Sequence, residues 1–518
     1  MSLRIVAVSA PDYLMGRLDT NSLTSKDPVS LHNACRYAAF LAENKIGAWG
    51  DSNWAVPRKE RRQKLLLMNS FKEEASFLED MLIKESPNLL LIGAMTLCLP
   101  GAVECAKIAK QIFGDKICIV LGGRHVNETM YYSKKWNKVK HHAGSPLVLM
   151  LKREIDRVFD IVVSGEGEFV IVKIGEAVEY LVRKNDDLKN VLNYIDQAEL
   201  GKIPGKWIIG GIINDQIKEI IGDGLEMDRD KLPSPARMFG IRNKFNVFGD
   251  RLTGHAFSDI GSGCIYNCSF CSERNNVCGS LRQIETAGHR LFRQLLDIKE
   301  VIHEDNSNAK ASAFIEDSLM LGGLDIQIRR LISLLNFHPI EIKFGGQLTV
   351  DTAIKHKTLI KELSYLGFEY LFFGIETINP SLVGGMSKDI CKDNWISRVE
   401  SLIEFLSNSK ILIGVSILFG LGESQQSRIE LIKKISNWQK EYRSLKVVSF
   451  NWAVQHPLCG YDGNCNYSYK EWGISSLDYI EAFRDYGEAS VLYPLSNVKV
   501  PKIEELNELR ELRKTIDG

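Results

Sequence analysis

The chain has 518 residues, 45% of them hydrophobic and 25% charged, a composition that suits an ordinary globular protein with material for about three domains. Lys plus Arg equal Asp plus Glu at 65 each, so no charge surplus points to nucleic acid or an anionic membrane. No apolar run reaches the roughly 18 residues of a membrane helix, and MSLRIVAVSA lacks the apolar core of a secretion signal. Eleven cysteines spread thinly over the chain are unlike a secreted disulfide framework, and a reducing cytoplasm is the expected setting.

Strands alternate with helical stretches, the pattern of parallel α/β architecture. RIVAVSA (4–10), NLLLIGAM (88–95), ICIVLGG (117–123) and DIVVSGEGE (160–168) are predicted strands ending in small residues. AVECAKIAKQIF (102–113) and FVIVKIGEAVEYLV (169–182) have helical apolar spacing. Such a sheet binds ligands at the carboxyl ends of its strands, where those glycines fall. Two insertions interrupt it: about 19–80, read as largely helical, and 126–155, rich in aromatics and lysines. IPGKWIIGGIINDQIKEI (203–220) reads as a hairpin and LPSPARMF (232–239) as a Pro-rich linker.

A second α/β series follows. ASAFIED (311–317), EIKFGGQ (341–347), YLFFGIET (370–377), ILIGVSILFG (411–420) and LKVVSFNWAV (445–454) are its predicted strands, with a further strand before the cysteines. Six strand–helix units favour a partial barrel. KIEELNELRELRKTI closes the chain as an amphipathic surface helix. The expected divisions are 1–198, 199–245 (hairpin and linker), 246–458 (barrel) and 459–518 (cap and helix).

CIYNCSFC (264–271) sets Cys264, Cys268 and Cys271 on one short loop. A structural zinc site takes four ligands, usually as two pairs, and no second pair exists here, although Cys278 or His255 could supply a fourth ligand. A redox pair would leave Cys264 unexplained. Three thiolates suit three corners of a [4Fe-4S] cube, leaving one iron open to substrate or cofactor.

The spacing C-x3-C-x2-C, with Phe270 before the last cysteine, resembles the radical S-adenosylmethionine (SAM) family. The resemblance implies that SAM chelates the open iron and that one electron cleaves it to methionine and a 5′-deoxyadenosyl radical. GFEYLFFGIETINPSLVGGMSK (367–388) resembles that family's fourth-strand segment, which implies Glu376 near the ribose with Met386 and Lys388 in the following turn. SILFGLGES (416–424) resembles the fifth-strand motif at Gly420 and Glu423, with Ser416 where glycine is usual. FIEDS (314–318) occupies the second-strand position, making Glu316 and Asp317 candidates for the methionine amino group, and Gln347 ends the third strand. Phe270 is expected to shield the cluster. The loop departs from the family's usual form at Gly261-Ser262-Gly263-Cys264-Ile265.

IVLGGRHVN (119–127) and DIVVSGEGEFV (160–170) resemble the cobalamin-binding domain that precedes the barrel in one large radical SAM subgroup, as do the 203–211 hairpin and LPSPAR. The implied corrin contacts are Thr96, Gly122, Gly123, His125, Gly165, Glu166 and Gly167, with Thr96 a candidate for the nucleotide tail. No Asp-x-His-x-x-Gly motif supplies a lower histidine. GEGE could equally open a helix, its carboxylates at the helix N-terminus. Cys35, Cys98, Cys105 and Cys118 are too scattered for the second cluster of methylthiotransferases, and His141-His142 reads as solvated loop.

The resulting expectation is an N-terminal Rossmann-like cobalamin-binding parallel sheet followed by a partial (β/α)6 radical SAM barrel. The expected activity is methylation of an unactivated carbon in a small-molecule or peptide substrate. A rearrangement, ring contraction or cyclisation is the alternative within the class, and a non-catalytic sensor the alternative outside it. The cofactors would be a [4Fe-4S] cluster, SAM and cobalamin, with flavodoxin or ferredoxin as electron donor. WAVQHPLCGYDGNCNYSYKEWG (452–473) could roof the site through His456 and Tyr461, or serve as a structural cover.

Overall fold

The computed structural model describes residues 3–11, 65–67, 71–133, 137–167, 169–195, 200, 203–222, 224, 230, 234–239, 241, 244–258, 264–271, 283–383, 394–453, 494–495 and 498–516. They fall into two compact units, the first ending at Phe239 and the second beginning at Ile241.

In the first unit, the strands are β1 (Ile5–Ser9), β2 (Leu65–Leu67), β3 (Leu89–Gly93), β4 (Cys118–Gly122), β5 (Met130–Ser133), β6 (Lys138–His141), β7 (Ile161–Gly165), β8 (Trp207–Ile213) and β9 (Gln216–Ile221). All but β5 and β6 form one sheet in the order β2-β1-β3-β4-β7-β8-β9, parallel as far as β7 and antiparallel in the final hairpin. The five parallel strands have the 2-1-3-4-5 order of doubly wound sheets.

Alternation along each strand feeds two separate cores. Ile5, Ala7, Leu89, Leu91, Val120 and Val163 pack with Ile174, Val178 and Leu181 of the helix Val170–Lys184. Val6, Val8, Leu90, Ile92 and Leu121 pack on the other face with Leu78 and Leu82 of the helix Phe71–Glu85 and with Ala102, Ala106 and Ala109 of Leu99–Phe113. Burial on both faces is why these strands read as unbroken apolar runs.

The second unit is a six-stranded parallel sheet in chain order: β10 (Leu252–Ala256), β11 (Ala311–Ile315), β12 (Lys343–Gln347), β13 (Phe368–Glu376), β14 (Leu412–Phe419) and β15 (Leu445–Trp452). Between them run α1 (Ala287–Asp305), α2 (Asp325–Phe337), α3 (Val350–Lys355), α4 (Lys357–Tyr365), α5 (Trp395–Asn408) and α6 (Gln425–Glu441). β10 and β15 are the two sheet edges, so the curled sheet is a half-barrel. Its amino end is filled by Phe245, Phe248, Phe314 and Tyr370.

Four local expectations change. The segment 19–80 contributes β2 as well as a helix; CRYAAFLAENKIGAW lies outside the described residues. The 126–155 insertion is ordered into the antiparallel pair β5–β6 and a helix, Pro146–Leu151, with Met130 and Leu147 in the core. Pro235–Phe239 of the supposed linker is a short helix, Pro235 standing at its first turn where no N–H is needed. The C-terminal helix α7 (Ile503–Arg513) is seated on the barrel: Leu506 and Leu509 are fully buried, and Gln425 Nε2 donates to the Glu505 carbonyl at 3.0 Å. Among the described residues no helix is long and apolar enough to cross a membrane.

A buried ion pair locks the first sheet. Lys110 Nζ donates to both Asp160 oxygens at 2.9 and 2.8 Å, and Asp160 Oδ2 also accepts the Ile119 N–H at 2.7 Å. Burial is the larger influence on Asp160, raising its pKa against the opposing pull of Lys110. Removing the cation therefore leaves a costly orphan. Lys110→Met is expected to lower stability by about 3 kcal/mol in urea unfolding, with little change in the denaturant slope.

Candidate active site

Cys264, Cys268 and Cys271 follow β10 and lie on the carboxyl side of the barrel strands. Cys268 is buried, Cys264 and Cys271 are partly exposed, and none is in a disulfide. The Cys271 N–H donates to the Cys268 carbonyl at 3.1 Å, closing a turn between the last two thiols. Tyr266, between the first two, brings its hydroxyl 3.4 Å from those of Thr349 and Thr352 at the start of α3. No three His, Cys, Asp or Glu side chains among the described residues converge closely enough to hold a single ion. His255, the alternative zinc ligand, has Nδ1 2.6 Å from Glu316 Oε1, and Cys278 lies outside the described residues.

Strand pairing decides which side chains face the barrel interior. Phe314 is opposite Gly345, Gly345 opposite Tyr370, and Tyr370 opposite Leu412. Two residues further along the strands, Gln347 pairs with Phe372, Phe372 with Gly414, and Gly414 with Val447. Two residues beyond that, Gly374, Ser416 and Ser449 are aligned. Because side chains alternate with period two, His255, Gln347, Ser416, Ser449 and Asn451 share the inner face. Glu316 joins them, its Oε1 lying 2.6 Å from His255 Nδ1. Gly414 is required here, since a Cβ on it would lie 2.0 Å from the Tyr370 hydroxyl. Asn451 Nδ2 donates to Ser416 Oγ at 3.1 Å and to Ser449 Oγ at 3.2 Å.

Glu376 ends β13 with φ +61°, while the Thr377 N–H donates to the Ile375 carbonyl at 2.8 Å. A two-residue hydrogen bond around a positive φ is the rare, strained form of γ-turn. The pairing with β14 slips at this point. Strain of this kind collects where side-chain aim matters more than backbone comfort. Glu376 is buried at 5% exposure.

The other two acidic candidates are committed to neighbouring backbone. Asp317 Oδ2 accepts the Ser258 N–H at 2.7 Å. Glu423 takes the Gly420 and Leu421 N–H groups at 2.7 and 2.8 Å, and Arg428 Nε at 2.6 Å, folding its loop onto the start of α6. Arg428 in turn stacks 4.7 Å from the Trp452 ring centre. Phe270 is described beside Cys271, whereas Met386, Lys388, His456 and Tyr461 lie outside the described residues.

In the first unit, Thr96, Gly122, Gly123, His125, Gly165, Glu166 and Gly167 lie at or just beyond the carboxyl ends of the neighbouring strands β3, β4 and β7. The side chains of Thr96, His125 and Glu166 help hold that rim together. His125 is fully buried with Nε2 2.8 Å from the Gly144 carbonyl and Nδ1 3.2 Å from Thr96 Oγ1. Thr96 Oγ1 also donates to Glu128 Oε2 at 3.1 Å, so the hydroxyl bridges carboxylate and imidazole. Both nitrogens of His125 are thus engaged within the protein. Gly165 has φ +84°, and a Cβ there would meet the Lys206 carbonyl oxygen at 2.1 Å. Glu166 Oε2 accepts the Lys206 N–H at 2.8 Å, tying β7 to the hairpin.

Cys98, Cys105 and Cys118 are buried among apolar side chains, and burial pushes the Cys105 and Cys118 thiols far up, the state of inert core cysteines. Cys35 lies outside the described residues. His141 and His142 depart from the solvated loop expected of them: His141 ends β6 between Ser145 Oγ (2.9 Å) and Glu219 Oε1 (2.6 Å), and His142 is buried. The sequence reading missed Ser449 and Asn451, although small polar residues two apart in an apolar strand were the available signal. It also passed over Arg290, a charge on the apolar stripe of α1.

Neither protein-family models nor curated protein sequences match this chain. Solved structures do. TsrM, a radical SAM methyltransferase from Kitasatospora setae with cobalamin and [4Fe-4S] cluster bound, is 13% identical with a TM-score of 0.49, over 87% of this chain and 72% of that one. Its complex with tryptophan substrate and a SAM analogue has 12% identity and a TM-score of 0.47, over 88% and 74%. OxsB, a cobalamin-dependent SAM radical enzyme with aqua-cobalamin and SAM bound, has 14% identity and a TM-score of 0.48, over 84% of this chain and 52% of its own, so the present chain spans about half of OxsB. These are likenesses of architecture only. The strand order of this chain's own two sheets defines its fold.

Burial lowers the His125 pKa from 6.5 to about 4, so the fold selects the neutral ring. The unfolded chain binds a proton where the folded one does not; the stability from the neutral ring is intact above pH 6.5 and lost as pH falls toward 4. Denaturant titrations should show this group contributing a loss on the order of 3 kcal/mol across that window. His125→Gln should be less stable at neutral pH and show a shallower acid dependence. Superimposable acid profiles would refute the assignment.

Proposed function

We propose that the chain is a cobalamin-dependent radical SAM enzyme that methylates an unactivated carbon of a small-molecule or peptide substrate. The observation that carries this reading is the three-cysteine loop directly after the first strand of a six-stranded parallel half-barrel, with Glu316, Gln347 and Ser416 on its inner face and strained Glu376 at its rim. Cys264, Cys268 and Cys271 would hold a [4Fe-4S] cluster. Glu316, Asp317, Gln347, Glu376, Ser416 and Glu423, with Phe270, would surround SAM. The rim of β3, β4 and β7, from Thr96 through Gly122, Gly123 and His125 to Gly165, Glu166 and Gly167, would take cobalamin. When bound, these groups supply one-electron chemistry and a transferable methyl group.

The protein's own part is orientation and exclusion of water. Phe245, Phe248, Phe314 and Tyr370 close the amino end of the barrel, so polar groups inside it act in a dry setting where each hydrogen bond counts for more. Asn451 sets the hydroxyls of Ser416 and Ser449, leaving their hydrogens to be donated inward. Glu376, buried and on a strained turn at the strand end, would supply a carboxylate at the rim. Electrons would come from a flavodoxin or ferredoxin.

Anaerobically prepared protein should carry about four irons and about one cobalt per chain. Under strong reductant it should form 5′-deoxyadenosine from SAM, and alanine at Cys264, Cys268 or Cys271 should abolish both iron and product. Zinc at these thiolates, or no deoxyadenosine, would sink the reading. Methyl-labelled SAM separates methylation, which moves the label to substrate, from rearrangement, which leaves it in methionine. Glu376→Gln should weaken SAM binding roughly tenfold, the effect of one hydrogen bond to a charged group, as measured by equilibrium dialysis.

A further inference from the structure

Ser258 follows β10 ahead of the three cysteines in sequence, and Gln283 follows them just before α1. Between these two residues stands Arg290, on α1 and only 2% exposed. Its Nη1 donates to the Ser258 carbonyl at 2.7 Å. Its Nη2 donates to the Gln283 carbonyl at 3.3 Å and to Thr286 Oγ1 at 2.6 Å. One planar guanidinium therefore ties Ser258, ahead of the cysteines in sequence, to Gln283 and Thr286 behind them. The next turn of α1 adds a parallel bond, Gln294 Oε1 accepting the Phe257 N–H at 2.8 Å. From the other side, Asp317 fixes the Ser258 N–H.

A buried cation is costly unless its hydrogen bonds are made with good geometry. Barrel stability alone would be served as well by an apolar residue at this position of the helix, since Ala287, Leu291, Leu295 and Ile298 around it are buried. What an apolar residue lacks is reach to two backbone carbonyls 25 positions apart. Arginine's rigid fork with several donors suits that task, and the single ammonium of lysine does not.

We propose that Arg290 is a positioning residue that clasps the neck of the cysteine loop, holding the three thiols in the spacing their metal cluster requires. This rests on the cluster reading given above. The clasp sets how firmly the loop keeps its cluster, and lies outside the ligand set itself.

The test uses full-length protein prepared anaerobically as wild type, Arg290→Lys, Arg290→Gln and Thr286→Val. Iron per chain, the rate of iron release to a strong chelator, the electron paramagnetic resonance signal of the reduced cluster and the melting temperature are measured on each. Loss of a clasp made of several hydrogen bonds to a charged group should speed iron release by about tenfold or more in Arg290→Lys and Arg290→Gln. Their signals should broaden at temperatures well below melting, where the fold is intact, and Thr286→Val should fall between. Release rates and signals equal to wild type in Arg290→Lys overturn the proposal, and that variant decides should Arg290→Gln fail to fold. Wild-type protein that assembles no iron–sulfur cluster defeats the cluster reading itself, a result distinct from a cluster that all variants keep equally.

Discussion

The register of the parallel ladder from β10 to β15 is the constraint on which the rest of the second unit depends. Side chains alternate with period two, so a slip of one residue would turn His255, Gln347, Ser416, Ser449 and Asn451 outward against the helices and bring apolar residues inside. The helix layer makes such a slip prohibitive, because Phe344, Leu371, Ile413 and Val415 are buried on that side with almost no exposure. Hydrophobic packing outside the sheet thereby dictates the polar arrangement within it.

Charge is used sparingly inside that frame. His255 and Glu316 face each other, and Glu423, Arg428 and Trp452 form a chain that folds the loop after β14 back onto α6. Arg513 of the C-terminal helix stacks 4.6 Å from Phe450. A helix remote in sequence thus supports the last two strands, where the Ser416, Ser449 and Asn451 cluster lies. The carboxylates of Asp317 and Glu423 show that an acidic residue at a strand end can serve its own loop first and any ligand second.

The first unit applies the same logic to a doubly wound sheet. Its candidate residues share the rim of β3, β4 and β7, and several are tied within the protein: Thr96 to Glu128 and His125, His125 to the Gly144 carbonyl, Glu166 to Lys206. A rim pre-assembled in this way need not order itself when a large ligand arrives, which lowers the entropic cost of binding. Full burial of His125, with both nitrogens occupied, makes it a brace between loops.

Much was legible in the chain itself. Continuous apolar runs such as LLLIG and CIVLG announce strands buried on both faces, and the helical spacing between them implies parallel pairing. The three-cysteine loop and its place ahead of further strands could also be read directly, because ligand spacing and strand order are properties of a linear sequence. Other features were not. Leu65–Leu67 is too short to declare itself a strand without β1 beside it. LPSPARMF reads as a linker until its second proline is seen to open a helical turn. Arg290 looks like one more charge on a helix until Ser258 and Gln283 arrive on either side of it. Local periodicity reports which face of an element is apolar; which distant carbonyl or carboxylate a polar side chain will meet is settled only when separate elements pack together.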